Sequence, residues 1–426
     1  MLIDTRGGRL VFDGCDAVGL ARKYGTPLYV MSETAIRERI AEIRASFLDK
    51  YPGSRAVYAS KAFQTLEICR IVASEGLGLD VVSGGELYAA AKAGVPPEAM
   101  FFHGNSKTLG EIRMAVELGV GRVVVDNMYE LEALDAAARA AGKRAKILFR
   151  ITPGVDSHTH EFISTGRLDS KFGIPLDSAA RDEHMRSALS MKGIELEGFH
   201  FHVGSQLLVN DSHLKAIEAV LDLMADCKAA YGYEARELNL GGGFGVRYAG
   251  DPAPPPLSYF VDAMMSAVER GCRARGLAAP RAIIEPGRWI VGEAGITLYT
   301  VGSIKEIPGI RTYVGVDGGL PDNPRPALYG AKYEAILAGK ALAPPEGKYT
   351  IAGKCCESGD ILIRDIELPR PESGDILAVL ATGAYNHSMA SNYNRLQRPA
   401  VVMTNAGKDR LSVRRETFED LVAREL

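Results

Sequence analysis

"RAVYASKAF", residues 55–63, runs a short apolar segment straight into a lysine. Val57, Tyr58 and Ala59 read as a strand, which would deliver Lys61 to a buried strand end. An ammonium in such a place is either neutralised by a partner or used as an amine nucleophile, because an unpaired buried charge is costly. An ion pair is the commoner fate of a strand-end lysine, so the choice rests on what the rest of the chain brings to it.

Outward from this segment, residues 54 to about 290 alternate between short apolar strands and amphipathic helices. The strands are expected at 54–59, 78–82, 99–103, 122–126, 145–151, 194–202, 235–240 and 281–285. Between them lie "TLEICRIVASEG", "GELYAAAKAG", "YELEALDAAARAAG" and "SHLKAIEAVLDLMADCKAAYG", rich in Ala, Leu and Glu with a 3.6-residue period. Helix "ETAIRERIAEIRASFLDKY" precedes the first strand. Strand–helix alternation implies a parallel sheet. Eight units in about 240 residues match a (β/α)8 TIM barrel and disfavour a doubly wound open sheet.

After Glu293 the character changes. "ITLYTVGSIKEI", "RTYVGVDGG", "KYTIAGKCCESGDILIRDIEL" and "DILAVLATGAY" read as strands separated by Gly and Pro turns. The expected division is a barrel over 31–292 and a mostly antiparallel β domain over 293–426. Residues 1–30, with the strand-like "GRLVFDG", should contribute to the second domain. "APPPL" and "ALAPPEG" read as local loops, and no internal repeat interrupts the chain.

Composition narrows the function classes. A chain of 426 residues is long enough for two domains. A net charge of −3 with no basic stripe points away from nucleic acid. No apolar run approaches the ~20 residues of a membrane span, and "MLIDTRGGRLVFDG" is no signal peptide. Cys15, Cys69, Cys227, Cys272, Cys355 and Cys356 are scattered, which suits reduced thiols in the cytoplasm better than a disulfide framework.

Barrel enzymes place their chemistry at the C-terminal ends of the strands. There Lys61 follows strand one, His202 closes strand six, Gly241, Gly242 and Gly243 follow strand seven, and Glu285 closes strand eight. Closure makes these strands neighbours, so the four features should ring one mouth. Three consecutive glycines leave backbone N–H groups uncovered, and a barrel binds phosphate after strands seven and eight. A lysine, a phosphate cradle and a carboxylate together suggest pyridoxal phosphate, with the lysine as Schiff-base amine and the acid tuning the pyridinium nitrogen. "HFHVGS", 200–205, adds an imidazole that could stack on the ring.

A metal is the rival reading. On a strand His200 and His202 point to one side, His-x-His pairs in barrels bind zinc, and "HTH" at 158–160 is another such pair. The lysine and the glycine loop are unneeded in a metallohydrolase, and neither a further strand-end aspartate nor a third histidine is evident. No metal is therefore expected.

The motifs "YASKAF", "GLDVVSGGEL", "HGNSK", "HTHEFISTG", "DSKFG", "HFHVGSQ", "GGGFG", "EPGR", "DNPRPALYGA", "CESGD" and "GAY" together resemble the diaminopimelate decarboxylase family. That family belongs to the alanine-racemase-like (fold-type III) pyridoxal phosphate proteins, built as a barrel plus a β domain. Each motif is weak alone; their shared order from about residue 25 to 400 is specific. The resemblance implies decarboxylation of meso-2,6-diaminopimelate to L-lysine and CO2, the last step of lysine biosynthesis. Lys61 would hold pyridoxal 5'-phosphate, His202 would stack on it, and Ser205 with Gly241, Gly242 and Gly243 would bind its phosphate. Glu285 would pair with the pyridine nitrogen, where the racemases of the class carry arginine. Arg288, Arg325 and Tyr329 would hold the substrate's distal carboxylate, Glu357 its distal ammonium, and Tyr385 of "GAY" would contact cofactor and substrate.

Cys356 matches the family's proton donor, and Cys355 before it reads as a small buried hydrophobe. The resemblance further implies an obligate homodimer with shared active sites, Cys356 and Glu357 being donated to the partner barrel. "HTHEFISTG" would form a mobile loop over the site. Leu320 and Pro321 stand where the family typically has Met-Ser, and Leu168 where polar residues are usual. The alternative is a sibling decarboxylase acting on ornithine, arginine, carboxynorspermidine or a related amino acid in another pathway. The ornithine and arginine enzymes resemble this chain through Lys61, Glu285 and Cys356, but usually carry aspartate after the cysteine, where this chain has Glu357.

Overall fold

Eight parallel strands close on themselves in a computed structural model that describes residues 2–155, 169–176 and 179–426. In chain order they are β1 (Arg55–Ala59), β2 (Gly78–Val81), β3 (Met100–Phe102), β4 (Arg122–Val125), β5 (Ala145–Thr152), β6 (Ile194–His200), β7 (Glu237–Asn239) and β8 (Arg281–Ile284). Each pairs with the next, and the ring shuts where Ile283 and Ile284 of β8 register with Arg55 and Ala56 of β1. The expected strands are all present. Strand six stops at His200, however: the Phe201 N–H makes the last ladder bond, to the Asn239 carbonyl (3.1 Å), and pairing goes no further. A two-residue strand, Ile174–Pro175, also lies against β5. "HTHEFISTG", with the "HTH" pair, and Leu168 lie outside the described residues.

Local chemistry makes the β-to-α joints short. Thr65, Ser83, Thr108 and Asn127 cap the helices after β1 to β4, each accepting the N–H three residues on. Thr108 forms a full capping box with Glu111. Inside the barrel Val57, Phe101, Val124, Leu148 and Ile283 form one buried layer from five strands, so the interior is a packed core and not a channel. Gly198 lies at a bulge in β6, where a Cβ would come within 1.8 Å of the Glu237 carbonyl.

The barrel belongs to a compact unit of residues 40–245 and 254–287; residues 1–39, 246–253 and 288–426 form a second. In the second unit one sheet path runs Ile361–Leu368, Gly347–Ala352, Arg311–Val316, Gly295–Ile307, Leu28–Ser32, Ala400–Asn405 and Lys408–Val413. Most pairings are antiparallel, but Leu28–Ser32 runs parallel to Ala400–Asn405, and Arg311–Val316 parallel to Gly347–Ala352. Its core includes Phe12, Leu20, Leu28, Val30, Ile296, Leu298 and Val402. The chain start thus supplies a central strand of this sheet, and "GRLVFDG" holds a strand (Arg9–Phe12) of a separate three-stranded antiparallel sheet. No described helix is long and apolar enough to cross a membrane.

Candidate active site

Every strand of the barrel sends one polar residue to the C-terminal mouth: Lys61, Asp80, His103, Asp126, Arg150, His200, Asn239 and Glu285. Lys61 differs from expectation. β1 ends at Ala59, and a single 3-10 turn over Ser60–Ala62 leaves the lysine exposed, not buried at a strand end. The Ser60 hydroxyl fixes that turn by donating to the Asp80 carbonyl (2.6 Å). Lys61 forms no ion pair among the described residues, while its charge is felt at Asp80, Glu86 and His202. An exposed amine with no carboxylate partner is free to react.

Glu285 is buried at the end of β8, and both its oxygens are engaged. The Asn239 amide donates to Oε1 (2.6 Å) and His200 Nε2 lies 3.1 Å from Oε2. His103 Nε2 stands 2.9 Å from Oε1 and 3.7 Å from Asp80 Oδ1. Burial alone would raise the Glu285 carboxyl; the two imidazoles outweigh it and hold the group well below the carboxylate range. Burial pushes Asp80 the other way, to about 7, and takes His200 down to about 4.

This cluster corrects the sequence reading of a metal. A third histidine (His103) and a strand-end aspartate (Asp80) are present, and strand geometry does not carry His202 alongside His200. Ligand atoms of His103, His200 and Glu285 lie within 4.8 Å of one another, so they could hold a cation. They could equally leave Glu285 to hold the N–H of a ring cation, a role that also employs Lys61 and the glycine loop.

The glycine loop leaves β7 packed tightly against neighbouring backbone. A Cβ on Gly241, Gly242 or Gly243 would come within 2.5, 2.1 or 2.2 Å of the carbonyls of Phe201, Glu285 and Gly204, and Gly241 and Gly243 take φ of +69° and +94°. The expectation of three uncovered N–H groups needs correcting. Gly241 donates to Asn239 Oδ1 (3.0 Å) and Gly242 to His202 Nδ1 (3.4 Å). The second bond leaves any proton of the neutral His202 ring on Nε2. Burial, then the charges of Lys61 and Arg150, hold that imidazole well below its usual pKa. Ser205 is half-buried in the loop after β6. An amine without an ion pair, a buried carboxylate with lone pairs to spare and a side-chain-free loop fit pyridoxal phosphate.

The second unit builds a separate cationic pocket. Arg288 opens a four-residue helix (Arg288–Val291) and Arg325 opens another (Arg325–Tyr329). Both are buried, and both donate to the Tyr248 hydroxyl, at 2.9 and 3.0 Å. Arg325 also donates to Tyr333 (2.6 Å), and the Arg288 guanidinium lies 4.6 Å from the Tyr385 ring centre. The guanidiniums draw the Tyr248 hydroxyl below its usual pKa although burial would raise it. Arg325 has no carboxylate partner among the described residues. Two buried cations held by tyrosines make a ready anion site. Tyr329 ends the Arg325 helix, half-buried. Pro321 is accommodated: it is buried, and its carbonyl accepts the Ser391 N–H (2.9 Å).

Cys356 and Glu357 lie exposed on a loop of the same unit. Buried Asp360 anchors it, accepting the N–H of Cys355 (2.8 Å) and of Leu320 (2.7 Å), and the Cys356 N–H bonds Asn394 (2.8 Å). Cys355 is half-buried, and burial with Asp360 pushes its thiol up to about 12.

Sequence reasoning missed His103, Asp80, Asn239, Arg150, Tyr248 and Tyr333. The first two lay inside quoted motifs, and their strand-end positions were the available signal; Tyr248 and Tyr333 carried none.

Residues 35–292 match the pyridoxal-dependent decarboxylases over their pyridoxal binding domain. The chain is 47% identical to diaminopimelate decarboxylase of Bacillus subtilis (strain 168), over 98% of this chain and 95% of that protein. Identity to the enzyme of the same name from Halalkalibacterium halodurans is 48%, over 97% and 94%. Among solved structures, diaminopimelate decarboxylase from M. jannaschii in complex with L-lysine superposes with a TM-score of 0.93 at 38% identity, covering 100% of this chain and 97% of that one.

Proposed function

The chain belongs to the diaminopimelate decarboxylases, within the pyridoxal-dependent decarboxylase family, and from that premise we propose that it converts meso-2,6-diaminopimelate to L-lysine and CO2. The observation that carries the reading is a pair: a lysine without an ion pair among the described residues in the ring that holds buried Glu285, and an anion pocket built from two buried arginines, Arg288 and Arg325.

Pyridoxal phosphate, when bound, supplies the electron sink for the pair left behind by CO2. Lys61 would hold it covalently. Ser205 and Gly241, Gly242 and Gly243 would take its phosphate, with Gly243 the member of the trio whose N–H is uncommitted. The neutral His202 ring would stack on its face, and Glu285 would keep a proton on its ring nitrogen. Arg288 and Arg325 would grip the distal carboxylate with planar, preorganised donors, together with Tyr329. Held there, the substrate turns its reacting carboxylate to a fixed orientation. Glu357 would take the distal ammonium, Tyr385 would touch cofactor and substrate, and Cys356 would deliver a proton to the carbon that lost CO2.

The exposure of Cys356 and Glu357 supports their donation to a partner barrel, hence a homodimer with shared active sites. Residues 31–292 would be the cofactor-binding domain and 293–426, with 1–30, the β domain. Free cysteines throughout favour a cytoplasmic setting.

The test is visible absorbance of the purified protein, with lysine and CO2 measured on adding meso-diaminopimelate. A visible band that Lys61→Ala abolishes, with equal lysine and CO2, is the expected result. A yellow protein inert toward diaminopimelate but active on ornithine, arginine or carboxynorspermidine would overturn the substrate. A protein colourless even with added cofactor would overturn the chemistry.

A further inference from the structure

The mouth of the barrel contains its own internal comparison. Asp80 and Glu285 are both buried carboxylates, and both face His103, at 3.7 and 2.9 Å from its Nε2. One is driven toward its neutral form, the other held as an anion. The difference lies in the donors around them. Asp80 Oδ1 has no hydrogen-bond partner, whereas Glu285 is met by Asn239 at 2.6 Å and His200 at 3.1 Å.

From this geometry we infer that His200 and Asn239, with His103 in ion-pair range, are positioning residues. They clamp Glu285 as an ionised carboxylate so that it can hold the proton on the cofactor's ring nitrogen. The inference rests on the reading that Glu285 meets that nitrogen.

Each member of the clamp has a fixed sense. Asn239 Oδ1 already accepts the Gly241 N–H (3.0 Å), so its NH2 must be the group facing Glu285, and Oε1 must be an acceptor. A proton on Oε1 would leave two donors confronting each other. His200 is buried enough to stay uncharged near neutral pH, so Nε2 faces the carboxylate as an N–H and adds no second positive charge. His103 sits edge-on to His200, ring centres 4.9 Å apart. The clamp residues rise from β3, β6 and β7 and converge on the end of β8, so the closed barrel itself sets the spacing. Facing the same space are Lys61 from β1, Asp80 from β2, Asp126 from β4, Arg150 from β5 and His202 after β6. Arg150 lies 3.9 Å from Asp126 and also feels the charges of Glu285 and Asp80.

A Glu285 that lost these donors would take up a proton at higher pH, as Asp80 does. The ring nitrogen would then meet a carboxylic acid in place of an anion. The cofactor's strength as an electron sink is therefore set one layer beneath the residue that touches it.

The experiment compares His200→Leu with His200→Gln in the holoenzyme, since a glutamine amide can reproduce the Nε2–H donor and leucine cannot. Two quantities are read: the dissociation constant for pyridoxal phosphate and the pH dependence of the visible absorbance. His200→Leu should weaken cofactor binding roughly 10- to 100-fold, the worth of a hydrogen bond to a charged group. It should also move the acid limb of the absorbance titration to higher pH, and His200→Gln should recover most of both.

Should His200→Leu not fold, Asn239→Leu against Asn239→Gln makes the same comparison, since only the amide carries a donor for Oε1. Leucine and glutamine variants that behave alike would overturn the clamp. Glu285→Gln separates the two layers of the site. If it shifts the absorbance while the leucine variants do not, the clamp alone is wrong. If Glu285→Gln changes neither quantity, the reading of Glu285 is wrong and the clamp falls with it.

Discussion

The two ends of the barrel treat charge in opposite ways. At the N-terminal end, Arg55, Arg122, Glu237 and Arg281 open β1, β4, β7 and β8. Arg122 reaches Glu237 with two hydrogen bonds (2.6 and 2.8 Å), Arg281 adds a third at 3.3 Å, and Arg55 lies at 3.9 Å. Glu197 in β6 joins Arg122, Arg236 and Lys146. Each of these charged side chains has an ion-pair partner. At the mouth, Asp80 Oδ1, Asp126 Oδ1 and His200 Nδ1 are buried with no hydrogen bond. Buried polar groups ordinarily find partners. One end is complete in itself; the other is built to be completed by a ligand.

Substitutions at the two ends should therefore fail in different measurements. The largest effect is expected from Glu285→Gln at the mouth: a loss of about 100-fold or more in kcat, with the urea midpoint of the cofactor-free protein nearly unchanged. A midpoint that fell in step with activity would erase the distinction. At the floor, Glu237→Gln takes the bidentate carboxylate from buried Arg122, which keeps Glu197 at 3.7 Å, and should cost about 3 kcal/mol in stability, while the folded fraction keeps its kcat. Denaturation monitored alongside active-site titration checks this, and a kcat defect with intact stability would contradict it.

Acid offers a third probe. Burial holds His200, His213 and His387 at about 4, against 6.5 for the free side chain, so unfolding below 6.5 lets each take up a proton. The unfolded state then binds more protons, and stability must fall as pH drops from 6.5 toward 4. Asp80 and Asp322, raised to about 7 by burial, act in the opposite sense over the same range. Burial raises Glu86 and Asp126 as well, while His202 and Glu285 are depressed, and the expected balance is a loss of stability in acid. Urea midpoints of the cofactor-free protein should decline across this range, and a flat or rising profile would show that the carboxylates dominate. The smallest effect is expected from Arg281→Ala. Its side chain is 41% exposed, so its pair with Glu237 is worth at most about 1 kcal/mol.

Much of the fold was legible because strand and helix periods alternate without interruption from Arg55 to Ile284. What escaped was whatever depends on a partner distant in sequence. "HFH" reads as continuing strand, since nothing in its pattern shows that pairing with the next strand ends at His200. Leu28–Ser32 reads as an apolar segment, and only packing pairs it parallel to Ala400–Asn405 near the other end of the chain. Lys61 and Glu285 could be picked out because strand-end position and residue type sufficed. Asn239 could not, because its meaning lies in two simultaneous bonds, one local to Gly241 and one to a residue on another strand. The glycine trio misled in one respect: its close backbone approach was readable, but the two N–H groups consumed internally were not.

The ring of strand-end residues also sets a schedule for synthesis. Lys61 leaves the ribosome early, on the first strand of the barrel, and Glu285 closes the last. Until the eighth strand has emerged, a nascent chain offers the reactive amine without the carboxylate opposite. A chain truncated anywhere before β8 therefore carries the lysine without Glu285.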